Sequence, residues 1–219
     1  DAESERRFCA FPEEARKNAG GTGEFTLSSP ARGFARTVAR VLVRPGEYFR
    51  STDPRGGFAA PLVFALVCSA VSAPLGALLA PYDPLGSRGG ALAPEVPAGW
   101  FAETGAVAGA LLVLFVALVV LLLLLLGIYL GAGVCHMLVL LLAGGRHAGF
   151  NATFKAYAYS SAASLLAWVP VAGYAASLYG LYLLFVGLRE LHRISPARAA
   201  LAVAPLALVQ ILSLAALFS

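Results

Sequence analysis

Charge is what this sequence has least of. Only 13% of its 219 residues are Asp, Glu, Lys or Arg, against about a quarter in a soluble domain. The shortage is concentrated: from Gly105 to Ala143 there is no charged residue, and Leu111 to Leu126 is almost entirely Leu and Val. With 59% hydrophobic residues and a mean hydropathy of +0.77, lipid is the solvent for most of the chain. Lysine is scarce too, since Lys17 and Lys155 are Lys and every other basic residue is Arg. Together with abundant Ala, Gly and Leu, this is the composition expected of a GC-rich bacterial genome. Three cysteines, Cys9, Cys68 and Cys135, exclude a disulfide framework, and two of them fall in apolar spans where a thiol is inert packing. Cys9 follows Arg6-Arg7-Phe8 and becomes a metal ligand only if a zinc ribbon lies upstream, because zinc takes about four ligands. The sequence opens on Asp1 rather than Met, so an upstream start is expected, and residues 1–29 hold no apolar core of a signal peptide.

Familiar catalytic patterns are missing as well. There is no GxxxxGKS/T, HExxH or GxSxG and no acidic pair. No span carries Asp, Glu, Lys or Arg at its centre, so the charged relays of a coupled transporter or pump are not there. The expectation is a protein that is not an enzyme, with no cofactor and no nucleic-acid partner.

What is present orders itself along the chain. Residues 1–29 mix charges with Gly20-Gly21-Thr22-Gly23 and read as a flexible polar tail. Ser29-Pro30 predicts an N-cap and first-turn proline, opening a region over 30–57. Its helix carries Arg32, Arg36, Arg40 and Arg44 on every fourth residue, with Phe34, Val38, Val41 and Leu42 on another face and Pro45-Gly46 as the stop. Such a helix lies on an anionic leaflet, each Arg contributing on the order of 1 kcal/mol near the surface, or packs as an ordinary amphipathic helix on the membrane domain. That domain, 58–219, divides into expected spans at about 58–80, 105–143, 153–169, 171–188 and 199–218. Pro74 and Pro205 predict kinks, Asn151 or Thr153 a cap for the third span, and Trp168-Val169-Pro170 its end. The prolines between Pro81 and Gly99 exclude a regular helix there, and Trp100-Phe101 suits an interfacial anchor.

The stretch 105–143 is nearly twice the roughly 20 residues that cross a bilayer core of about 30 Å, so it crosses once with excess or twice. One crossing puts the basic segments Arg32–Arg55, Arg146–Lys155 and Arg189–Arg198 on one side and the acidic loop with Asp83, Glu95 and Glu103 on the other. Positive charge accumulates on the cytosolic side, which favours one crossing, a cytosolic N-terminus and a C-terminus outside. Within that stretch Gly127-Ile128-Tyr129-Leu130-Gly131 is a GxxxG that lets a second helix approach, either inside the molecule or in a homo-oligomer. Ala156, Ser160 and Ser164 make a similar small-residue ridge. His136 is the one ionisable side chain well inside the stretch other than Tyr and Cys; it is either an intramembrane polar site or a residue facing the cytosolic interface.

Several segments together resemble the Ypt-interacting-protein (Yip) domain family. They are Arg44-Pro45-Gly46-Glu47-Tyr48-Phe49 before a span opening Ala60-Pro61-Leu62, and the Gly144-Gly145 turn. With them go Phe154 to Tyr159 leading to Trp168 through Gly173, and Gly187-Leu188 through His192 to Ser195 and Arg198-Ala199. The resemblance spans about residues 40 to 215. It implies five helical spans and a cytosolic N-terminal region. Eukaryotic members are associated with small GTPases of vesicle transport and with membrane shaping, and some bacterial members with assembly or protection of membrane complexes. No catalytic residue is implied, since the family has no established active site. The resulting expectation is an all-α, multi-pass inner-membrane adaptor or assembly factor, touching anionic lipids and other membrane proteins. The alternative is a channel or carrier for a small neutral or apolar solute, lined by His136, the Ser160–Ser164 ridge and the tyrosines of the fourth span.

Overall fold

The computed structural model describes residues 25, 30–79, 82, 105–143 and 147–218. The predicted cap Ser29, the tail with Cys9, the proline loop apart from Tyr82, the Trp100-Phe101 anchor and the turn Gly144-Gly145-Arg146 lie outside them. Everything described is helical or connecting, with no strand among the described residues. The helices are α1 (Pro30–Val43), α2 (Pro45–Ser51), α3 (Ala59–Leu79), α4 (Gly105–Ala143) and α5 (Phe150–Ser160). A 3-10 turn, Ser161–Ala163, leads into α6 (Ser164–Ala167), followed by α7 (Ala172–His192) and α8 (Pro196–Phe218).

Local chemistry accounts for most of these boundaries, and corrects the expected cap of α5. α1 ends at Val43, just ahead of Pro45-Gly46 as expected, and the same pair opens the next helix. Pro45 takes the first position of α2, where a missing N–H costs nothing. Neither Asn151 nor Thr153 caps α5: Gly149, at φ 87, holds the N-cap position, and that backbone suits glycine. α3 and α8 remain helical through Pro74 and Pro205. The stretch 105–143 is a single helix of 39 residues, about 58 Å long at 1.5 Å per residue.

Ring contacts fix the directions of the bundle. Phe58 meets Phe154 at 5.1 Å, and Phe64 meets Tyr159 at 5.2 Å, so α3 and α5 run parallel. His136 meets Phe150 at 5.4 Å and Tyr129 meets Phe154 at 5.1 Å, so α4 runs against them. α7 also runs antiparallel to α5, with Gly187 against Ala156 and Gly180 against Ala163. The core therefore sits where the start of α3, the end of α4, α5 and the end of α7 converge. Phe49, Phe64, Val139, Tyr159, Leu183 and Leu188 are all within 1% of full burial there.

Among the described residues three helices are long and apolar enough to cross a membrane, over Ala59–Gly76, Ala108–Leu142 and Pro196–Ala215. The other two segments expected as spans, α5 to α6 and α7, are helical and more closely packed in the bundle, with Leu166, Leu178 and Tyr182 left exposed. α5 buries Thr153 and Lys155 in its first turns, and α7 ends in Arg189, Glu190 and His192. The face of a helix that packs on other helices meets side chains rather than lipid, so its apolar content need not match that of an outer span.

Candidate functional site

Polar chemistry gathers at one end of this bundle. All three histidines of the sequence meet there, although 56 positions separate the first from the last. Ala148 N–H donates to His192 Nδ1 at 3.1 Å, which leaves that nitrogen unprotonated. The neutral ring then carries its proton on Nε2 and donates to Thr153 Oγ1, 2.9 Å away. The Thr153 hydroxyl is thereby free to donate to His136 Nδ1, also at 2.9 Å. His147 packs edge-on against His136 with ring centroids 5.6 Å apart, and accepts from Gly149 N–H at 3.2 Å. His192 is 5% exposed; burial, with His136 and His147 adding to it, pushes its imidazole down to about 4. The arrangement is a directed hydrogen-bond chain between neutral rings, tying α4, α5 and α7 together. Among the described residues no group of His, Cys, Asp and Glu is placed to hold a metal ion.

Beside this chain the charged residues lock the connecting segments. Lys155, 2% exposed, donates from Nζ to the Asp53 carbonyl at 2.8 Å, with Gly56 leaving room for the ammonium. A buried ammonium requires such partners, so the loop after α2 is held onto α5. Arg50 Nε donates to Glu190 Oε2 at 3.2 Å, joining α2 to α7. Phe49 reaches the same junction: a Cβ on Gly187 would meet Ala156 at 2.9 Å and the Phe49 ring at 3.2 Å. Only glycine permits that approach.

The other predicted site residues are more scattered. Arg32, Arg36, Arg40 and Arg44 are all exposed, and Arg44 reaches Glu47 at 3.5 Å. The opposite face of α1 is engaged by the protein itself. Thr37 and Val41 are fully buried, Phe34 stacks on Phe64 at 5.2 Å, and the Tyr179 hydroxyl donates to the Leu42 carbonyl. α1 therefore offers its surroundings an arginine row, not an apolar face. In the GxxxG, Gly131 packs directly on Tyr157 while Gly127 has open space beside it. Ser160 and Ser164 donate to carbonyls of their own turns, each at 2.7 Å, and Ser164 Oγ also lies 3.3 Å from Ser72 Oγ. Of the residues expected to line a solute path, His136, Ser160 and Ser164 are engaged in hydrogen bonds within the protein, while Tyr182 is exposed.

Sequence reasoning placed His136 near this end but missed its partners. Thr153 read as a cap and His192 as a flanking charge, and no spacing within one helix could have joined residues 39 positions apart.

Such a bundle, with one helix uncharged from end to end, defines a helical membrane protein. The profile described as the Yip1 domain matches residues 39–217, and the chain belongs to that family. No curated protein and no solved structure matches it. Three of the segments on which the resemblance rests meet in space, since a Cβ on Gly187 would touch both Ala156 and Phe49.

Proposed function

We propose that the protein is a non-enzymatic adaptor or assembly factor of a bacterial inner membrane. It crosses five times, with the N-terminus in the cytosol and the C-terminus outside, and binds other membrane proteins through its helices and anionic lipid through α1. The observation that carries this reading is the contrast within the molecule between a rigidly cross-linked polar end and long helices whose outer faces are bare. Leu114, Leu122, Leu130 and Leu212 are each more than half exposed, a surface for lipid and for neighbouring helices. Arg50, Lys155 and Arg189 lie at the polar end, which suits the positive-inside rule. The arginine row of α1 is an electrostatic surface in which each residue contributes about 1 kcal/mol against an anionic leaflet.

The test is a mild-detergent pull-down with mass spectrometry of both proteins and lipids, on the native chain and on a variant with Arg32, Arg36, Arg40 and Arg44 changed to Gln. The variant should lose membrane partners or anionic lipid while melting like the native protein. Unchanged association would remove the surface-binding role.

A further inference from the structure

Arg32, Arg36, Arg40 and Arg44 stand four residues apart along α1, so successive arginines are separated by about 6 Å along the helix axis. All four are exposed. Of these, only Arg44 has an ion pair among the described residues, with Glu47 at 3.5 Å between two exposed side chains, and α1 itself contains no acidic residue. Arg32, Arg36 and Arg40 face outward with no carboxylate among the described residues to meet them.

A solvated helix face needs charge, but not charge of one sign at one spacing. Like charges four residues apart weaken a helix, and Arg32, in the first turn, meets the positive end of the helix dipole. An anion that bridges neighbouring arginines turns this repulsion into attraction.

The packing behind the row narrows the choice of anion. Thr37 and Val41 are fully buried and Phe34 stacks on Phe64, so the apolar face of α1 is committed to the protein and is not available to sink into acyl chains. Contact with a leaflet is then made through phosphate, by guanidinium forks that match its oxygens in pairs. The same packing holds the row in place before any lipid arrives, so binding sacrifices little conformational freedom. A fixed row of regularly spaced forks favours an anion whose two phosphates are tethered to each other, because the second contact is then intramolecular and gains from effective concentration. Diphosphatidylglycerol (cardiolipin) is such an anion, with one glycerol joining its two phosphates. Phosphatidylglycerol carries a single phosphate, so two arginines must gather two separate molecules.

We propose that neighbouring arginines of α1 bind the two phosphates of one diphosphatidylglycerol headgroup, a selectivity that rests on α1 being the lipid-binding surface proposed for the adaptor.

The test is native mass spectrometry of the full chain in detergent, with cardiolipin and phosphatidylglycerol offered at equal phosphate concentration. The native protein should retain cardiolipin roughly tenfold more strongly per phosphate. Two double variants of equal charge then separate spacing from charge. Arg40→Gln with Arg44→Gln keeps Arg32 and Arg36 about 6 Å apart along the helix, and should keep the preference. Arg36→Gln with Arg44→Gln leaves Arg32 and Arg40 about 12 Å apart, and should bring cardiolipin down to the retention of phosphatidylglycerol. All the changed side chains are exposed, and the comparison of the two lipids on the native chain needs no variant. Equal retention of the two lipids per phosphate would overturn the proposal. So would the same preference in both double variants, because charge alone, or a site elsewhere, would then govern binding. Either result leaves α1 standing as a general anionic-lipid surface, whereas retention of neither lipid would remove that surface as well.

Discussion

Between Leu111 and Leu126 the long helix α4 exposes nearly every side chain, whereas between Ile128 and Val139 it buries Ile128, Ala132, Cys135 and Val139 along one stripe. Both halves are uncharged and both are helical. The difference lies in side-chain size. The first half presents Leu and Val on every face, which lipid solvates as well as a protein would, so nothing draws a neighbour to one side. The second half alternates bulk with Gly131, Ala132, Gly133 and Cys135, and α5 comes close enough for Tyr157 to rest on Gly131. Small residues, not apolar ones, decide where this bundle is closed.

Changes at the closed end should therefore cost far more than changes at the bare end. The largest loss is expected from Gly187→Leu, which drives a branched side chain into Ala156 and Phe49. About 3 kcal/mol or more should disappear from thermal stability in detergent, while Leu122→Ala should shift the same measurement by no more than about 0.5 kcal/mol. Acid should act on the closed end next. His192 is neutral when folded and titrates near 4, against an ordinary value of 6.5. The unfolded chain thus binds more protons between those values, and stability present above pH 6.5 should fall as the pH drops toward 4, by at most about 3 kcal/mol. A His192→Gln variant should flatten that slope. Thr153→Val strips both imidazoles of a shared partner and should cost about 1–3 kcal/mol, measured by the same melts. The smallest effects separate the two glycines of one motif. Gly131→Ala should lower stability by about 1 kcal/mol because it meets Tyr157, whereas Gly127→Ala, with open space beside it, should raise helix stability by about 0.5–1 kcal/mol.

Most helices were readable from the residues, because a charge-free run or a proline in a first turn acts locally. The charges on the flanks of 105–143 favoured one element over two, and the structure has one helix there. The closed end was not readable in the same way. Its hydrogen-bond chain joins His136, Thr153 and His192 from three helices, and its ion pair joins Arg50 to a residue 140 positions away. α1 showed the opposite limit: its amphipathic pattern was plain, yet a pattern states only that an apolar face exists, not whether lipid or α3 and α7 cover it. Here Phe64 and Tyr179 do.

The contrast between the two halves of α4 is tested most directly by nitroxide labels placed one at a time from Leu111 to Leu142 in the reconstituted protein, reading collision with oxygen dissolved in the lipid. High accessibility at every position through Leu126, followed by minima at Ile128, Ala132, Cys135 and Val139, is the predicted profile. A continuous periodic profile along the whole helix, or no minima in its second half, would contradict it.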